Sequence, residues 1–226
     1  AVVIGLAFPR DLDRRWVSDF QEGVVEECAR AGVSLVGGDL SSSPHIALGV
    51  TALGNLSGRP GITRAGARIG DQVAVCGRLG CSAGGLLVLQ RGFGSPKDLV
   101  LEQQCPTVPY GQGKAAADAG ATAMIDVSDG LLQDLGHICE LSGVGIDVRT
   151  AALKIHDSLA RLAAATGKDP LGFVLAGGED HALAATFPAQ VELPQDWLRI
   201  GTVTSGAEVI VDGMPWTGSV GWDHFA

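Results

Sequence analysis

Two rhythms of apolar and polar positions run along this chain. Trp16, Phe20, Val24 and Cys28 recur at helical spacing with Glu22, Glu26 and Glu27 off the stripe, which predicts a helix ending near Gly32. The same spacing predicts a helix after Gly130, with Leu131, Leu135, Ile138 and Ser142 on one face and Leu132 and Leu141 widening it. Further helices are expected from Gly80 to about Arg91, over 111–119 and over 157–166, and 95–109 reads as a polar loop with room for a helix. Short apolar runs predict strands at 34–36, 45–53, 72–76, 121–125, 144–148, 173–176, 182–187, 198–203 and 209–211. Residues 1–8 form an abrupt apolar run, expected to be an interior strand or helix end. Several later strands lie close enough for hairpins, so mixed α+β sheets fit better than one parallel sheet. The polar, glycine-containing connection 54–61 is the best candidate for a domain boundary, dividing the chain into 1–58 and 59–226.

Composition narrows the class. A chain of 226 residues with 46% apolar and 18% charged content builds one large or two small packed domains. Its net charge of −9 argues against nucleic-acid binding. An acidic protein that binds phosphorylated ligands would need cations as intermediaries. No apolar run reaches the roughly 18 residues of a membrane span, and 1–8 lacks the basic leader of a signal peptide. The five cysteines, Cys28, Cys76, Cys81, Cys105 and Cys139, are odd in number and lack metal-site spacing. They are expected to be reduced, mostly core-filling thiols of a cytoplasmic protein.

The chemistry concentrates at three places where a predicted strand ends in glycine or serine plus acids: Gly37-Gly38-Asp39, Asp126-Val127-Ser128-Asp129 and Gly177-Gly178-Glu179-Asp180. Glycine admits close backbone approach, and the carboxylates supply hard oxygen ligands of the kind Mg²⁺ uses together with phosphates. A helix N-terminus beside Asp129 would also favour anions, although helix capping by Ser128 or Asp129 explains that segment equally well. Arg64 and Arg68 offer forked donors to phosphate, with Arg68 reading better as a solvated turn.

These segments resemble the thiamine-monophosphate kinase family of the aminoimidazole-ribonucleotide-synthetase-like superfamily. The resemblance rests on Val36-Gly37-Gly38-Asp39, the run from Thr63 to Asp71, I-D-V-S-D-G-L-L-Q-D-L-G-H from Ile125 to His137, Ala176 to Asp180, and Gly221-Trp222-Asp223-His224-Phe225. They stand in family order and cover nearly the whole chain. The resemblance implies an α+β, two-domain synthetase-like architecture with mixed sheets flanked by helices and the first domain truncated. It implies transfer of the ATP γ-phosphoryl group to thiamine monophosphate, with Mg²⁺ as cofactor and a homodimer in the full-length protein. By the same resemblance, Asp39, Asp126 and Asp129 are metal ligands. Gly38, Asp39, Arg64 and Ser128 contact the nucleotide phosphates, and Glu179 and Trp222 contact the thiamine moiety.

The chain departs from the family pattern at Leu40, where Thr is usual and Ser41 is the nearest substitute, and at His181, where Tyr is common. Nothing in it matches the family's G-D-D-type front segment, so it is expected to start inside the first domain. Two other readings stay open: an amidine-forming, ATP-dependent synthetase of the same superfamily, and an inactive ligand-binding fragment.

Overall fold

The computed structural model describes residues 1–222, so Asp223, His224 and Phe225 of the terminal motif lie outside the described residues. In chain order the elements are β1 (Val2–Phe8), α1 (Arg14–Ala31), β2 (Leu35–Ser42), β3 (Ala47–Ala52), β4 (Gln72–Cys76), α2 (Cys81–Gln90), α3 (Lys97–Gln104), α4 (Gln112–Asp118), β5 (Ala123–Val127), α5 (Leu131–Ser142), β6 (Gly145–Val148), α6 (Asp157–Thr166), α7 (Pro170–Ala176), β7 (Ala182–Phe187), β8 (Leu198–Thr204), β9 (Val209–Val211) and β10 (Met214–Pro215). They form two compact units, Ala1–Gly61 and a second from Ile62 onward.

In the first unit β1 is the central strand of three. It pairs in parallel with β2 and antiparallel with β3. Helix α1 starts where the Asp13 carboxylate accepts the Arg15 N–H and stops where Gly32 turns left-handed, the start and stop chemistry its sequence carries. Gly37-Gly38-Asp39 does not end a strand, as the glycine pair suggested. It lies inside β2, because parallel pairing with β1 continues through Phe8↔Ser42. At Gly38 a Cβ would lie 2.1 Å from the Ile4 carbonyl oxygen, so only glycine permits that approach.

The second unit is built on a seven-stranded mixed sheet in the order β10-β9-β6-β8-β4-β7-β5. Every residue of central β4 is buried, which is why the strand reads as apolar from Val73 to Cys76; buried Gln72 donates to the Pro188 and Val191 carbonyls. Val73 and Val75 face the larger core with Val88 of α2, Leu131, Leu135 and Ile138 of α5, Leu159 and Leu162 of α6, and Val174 and Leu175 of α7. Ala74 and Cys76 face a smaller one with Ala116, Phe187 and Trp197, the last two rings meeting edge to face.

Residues 173–176 are helical, not the expected strand. Asp169 accepts the Leu171 N–H and Pro170 occupies the first turn, a start signal that outweighs the apolar run it precedes. Leu141, expected to widen the buried face of α5, is exposed.

Candidate active site

Strand β5 lies at the edge of the seven-stranded sheet, and its carboxyl end carries Asp126 and delivers the turn that bears Asp129. Asp126 is exposed near that end, Ser128 and Asp129 are half-buried in the turn, and Gly130 opens α5 at φ 138°. The free edge of β5 is covered by residues 63–67. The Met124 N–H donates to the Thr63 carbonyl (3.0 Å), and Gly66 comes so close to the Thr122 carbonyl that a Cβ would sit 2.2 Å from it. Ser142 pins the same segment. Its hydroxyl donates to the Arg64 carbonyl (2.8 Å) and accepts from the Gly66 (3.1 Å) and Ala67 (3.2 Å) N–H groups. As a result Arg64, Asp126, Ser128, Asp129, Asp134 and His137 line one cavity of about 470 Å³.

The turn itself is held from inside the helix. Oδ2 of Asp134, whose residue is only 2% exposed, accepts the N–H groups of Ser128 (3.0 Å), Asp129 (3.1 Å) and Gly130 (3.1 Å). Burial pushes the Asp134 carboxyl upward, opposed by those three N–H groups, while neighbouring Asp129 adds to the rise. The anion-favouring end of α5 is thus occupied by the chain's own carboxylate. Neither Ser128 nor Asp129 is the side chain that gathers these N–H groups, so the simple capping alternative does not describe the turn.

Two further motifs close on the same loop through its carbonyls. The Glu179 N–H donates to the Ser128 carbonyl (2.7 Å) and the Trp222 N–H to the Asp129 carbonyl (2.9 Å). Gln133 adds two bonds to the last segment, from its N–H to the Val220 carbonyl (3.1 Å) and from Nε2 to the Trp222 carbonyl (2.6 Å). A Cβ on Gly178 would lie 2.7 Å from the Ser128 carbonyl oxygen, and one on Gly221 the same distance from that of Asp129. Trp222 is 64% exposed, so it does not plug the core. The Glu179 side chain is exposed, with His181 Nε2 3.6 Å from its Oε2.

Asp180, the last acid of that motif, turns away from this site. It accepts the N–H groups of Gly80 and Ser82 (3.0 Å) at the start of α2. Burial pushes its carboxyl up to about 7, against the pull of these donors. Burial likewise raises the Cys81 thiol to about 12, which leaves it inert as a nucleophile at neutral pH.

Gly38 and Asp39 stand in the first unit. The Ser41 hydroxyl donates to Asp39 Oδ2 (2.6 Å), two positions along the same strand, which gives the hydroxyl after Leu40 a partner.

The arrangement in the second unit brings together Asp126, Ser128, Asp129 and Arg64 at one cavity, and the backbones of Glu179 and Trp222 at its loop. It can hold a hard cation on two carboxylates while a guanidinium faces the same space. Among the described residues no three His, Cys, Asp or Glu side chains gather as a cage. Sequence reasoning missed Asp134 and Gln133. The signal for Asp134 was an acid set among the apolar positions of α5, where a free carboxylate has no reason to be.

Residues 1–56 match the model of the AIR synthase related protein N-terminal domain, and residues 68–213 match that of the C-terminal domain. The chain is 47% identical over 227 residues to the thiamine-monophosphate kinase of Mycobacterium tuberculosis (strain ATCC 25618 / H37Rv), covering 100% of this chain and 68% of that protein. It superposes on thiamine monophosphate kinase from Aquifex aeolicus with a TM-score of 0.84 at 32% identity, covering 95% of this chain and 74% of that one. It superposes on AaThiL complexed with AMPPCP and TMP with a TM-score of 0.83 at 33% identity, covering 99% and 73%. Fold and site therefore define an AIR-synthase-related, mixed-sheet two-domain protein, as the motifs implied. Within that class, the chain belongs to the thiamine-monophosphate kinase family.

Proposed function

We propose that the loop 126–130 is the phosphate-handling centre of a thiamine-monophosphate kinase, which transfers the γ-phosphoryl group of ATP to thiamine monophosphate. The observation that carries this reading is that Glu179 and Trp222 are bonded through their backbones to consecutive carbonyls of the loop bearing Asp126 and Asp129. In the reaction a terminal oxygen of thiamine monophosphate bonds to the γ-phosphorus, the bond from that phosphorus to the β,γ-bridging oxygen breaks, and ADP leaves with the electron pair. The acceptor is already an anion, so no strong base is required; the barrier is repulsion between two anions.

Family membership and the relative complexed with AMPPCP, an analogue of ATP, support ATP as co-substrate. Mg²⁺ fits the donor set: it takes one or two carboxylates and completes its shell with phosphates and water rather than an all-protein cage. Asp126 and Asp129 would hold it, and it would supply charge neutralisation on the phosphates; the family resemblance gives Asp39 of the first unit the role of a metal ligand as well. Arg64 offers donors to a phosphate oxygen, Ser128 a hydroxyl, and Gly38 an unobstructed backbone. The exposed indole of Trp222 suits stacking on thiamine rings, and Glu179 suits a cationic thiazolium or an aminopyrimidine donor. The curated thiamine-monophosphate kinase relatives favour the kinase over the synthetase alternative.

The proposal assigns residues 1–58 to an ATP-binding and dimerisation domain and 59–226 to the synthetase-like domain, in a homodimeric cytoplasmic enzyme. No helix among the described residues is long and apolar enough to cross a membrane. The test is thiamine diphosphate formation by the full-length protein from ATP, Mg²⁺ and thiamine monophosphate, with Trp222→Ala as the probe of the ring site. The variant should raise KM for thiamine monophosphate at least tenfold and leave KM for ATP nearly unchanged. A folded full-length protein that forms no product, or a variant with unaltered KM, refutes the reading.

A further inference from the structure

No hydrogen bond joins the Asp134 side chain to Glu179 or Trp222, yet it bonds the two residues whose carbonyls those segments use. One oxygen gathers three consecutive N–H groups, from Ser128, Asp129 and Gly130. The carbonyls of two of those residues point the other way, to the N–H groups of Glu179 and Trp222. The turn is therefore bonded on both edges: its donors to a buried carboxylate, its acceptors to the substrate-side segments. Three convergent N–H groups at a helix start form a nest that attracts any anion. With Asp134 in place the nest is filled, so a nucleotide phosphate meets the side chains of the cavity rather than the bare turn.

Resting on the kinase reading above, we propose that Asp134 is a positioning residue for phosphoryl transfer. By occupying the nest it fixes where the Asp129 and Ser128 side chains stand and, through their carbonyls, where Glu179 and Trp222 stand relative to them. Removing it would loosen both ends of the reaction at once, the phosphate end and the thiamine end. It would also open the turn to a phosphate bound in an unproductive place. A residue serving the fold alone would not produce that pairing of effects.

The test uses Asp134→Ala and Asp134→Asn in the full-length protein. Asparagine keeps one carbonyl oxygen for the three donors and loses the charge, so it should rescue in part. The alanine variant should lower kcat at least thirtyfold and raise KM for thiamine monophosphate at least fivefold. The asparagine variant should lie within tenfold of wild type in kcat. Calorimetry without turnover supplies the second readout: binding of Mg²⁺ with AMPPCP should weaken at least fivefold in the alanine variant. If both variants fold and keep wild-type kcat, both KM values and the calorimetric affinity, the proposal is overturned. It is also overturned if the asparagine variant does not fold, because Asp134 then serves the fold rather than the site. The kinase reading fails separately, if the wild-type protein makes no product or Trp222→Ala leaves KM for thiamine monophosphate unaltered.

Discussion

The two acidic segments that the family resemblance marks, one in each unit, are held in opposite ways. In the second unit the acidic turn is held on every side: buried Asp134 behind it, the half-buried glycines 178 and 221 against its carbonyls, and a core containing Leu131, Leu135 and Ile138 beneath it. In the first unit Asp39 sits mid-strand on an exposed sheet. Leu6 is that unit's one fully buried apolar side chain among the described residues, and Val36, Leu40, Leu48 and Val50 stay exposed. Asp39 is oriented by strand pairing and one hydroxyl, whereas Asp129 is oriented by a network. The same residue type in the same proposed role is thus fixed by local geometry in one unit and by tertiary packing in the other.

The largest effect expected from this contrast is on activity. Asp126→Asn and Asp39→Asn each remove a carboxylate proposed to hold charge near the transferring group, and loss of such electrostatic stabilisation costs on the order of a hundredfold or more in kcat. Both residues are exposed, so thermal unfolding should be unchanged in each variant. Steady-state kinetics with a melting curve checks both. A wild-type rate in Asp126→Asn removes it from the metal site, and a wild-type rate in Asp39→Asn removes the first unit's strand from the chemistry.

The contrast also separates what could be read from the chain from what could not. The helix at 14–31, the strand at 72–76 and the turn after 127 were legible because each carries a local signal: an apolar stripe with caps, a short run that is apolar from Val73 to Cys76, and glycine beside acids. Two errors have one cause. Gly37-Gly38 looked like a strand end and residues 173–176 like a strand, because local propensity was weighed without the partner. Pairing with β1 carries β2 through its glycines, and an Asp-Pro start turns an apolar run into a helix. Within the site, acids and glycines announced themselves. The way Asp134, Gln133 and the carbonyls of Ser128 and Asp129 knit three motifs together did not, because hydrogen bonds between distant segments leave no spacing in the chain.

A smaller effect probes the packing directly. Alanine at Gly178 would drive a Cβ to 2.7 Å from the Ser128 carbonyl oxygen, and alanine at Gly38 would drive one to 2.1 Å from that of Ile4. Overpacking of this kind costs about 1–3 kcal/mol, and more where only backbone can yield. Gly178→Ala should therefore lower kcat and shift melting only modestly, because a large core keeps the rest of its unit in place. Gly38→Ala should unpair β1 and β2, so hydrogen exchange should lose protection over 2–8 and 35–42 while β4 keeps its own. Unchanged exchange at 35–42 would show that the first unit is not held by that backbone approach.

The smallest effect is one of pH, and it should belong to the second unit alone. Among the described residues the buried carboxylates, Asp71, Glu102, Asp134, Asp147 and Asp180, all lie there. Asp180 has a folded-state pKa of about 7 against an ordinary 3.8, raised by burial. A carboxyl raised in this way holds its proton more tightly when folded, so its contribution to stability is full below about pH 4 and drains away as pH rises to about 7. Wild-type protein should then lose more thermal stability between pH 5 and pH 8 than Asp180→Asn, which cannot ionise. The variant's absolute melting point should be lower at pH 5, because an amide nitrogen would face one of the two N–H donors of Gly80 and Ser82. The informative quantity is therefore the slope with pH rather than the melting point at any one pH. Parallel curves for the two proteins would show that Asp180 is ionised throughout that range and that the donors at the start of α2 outweigh its burial.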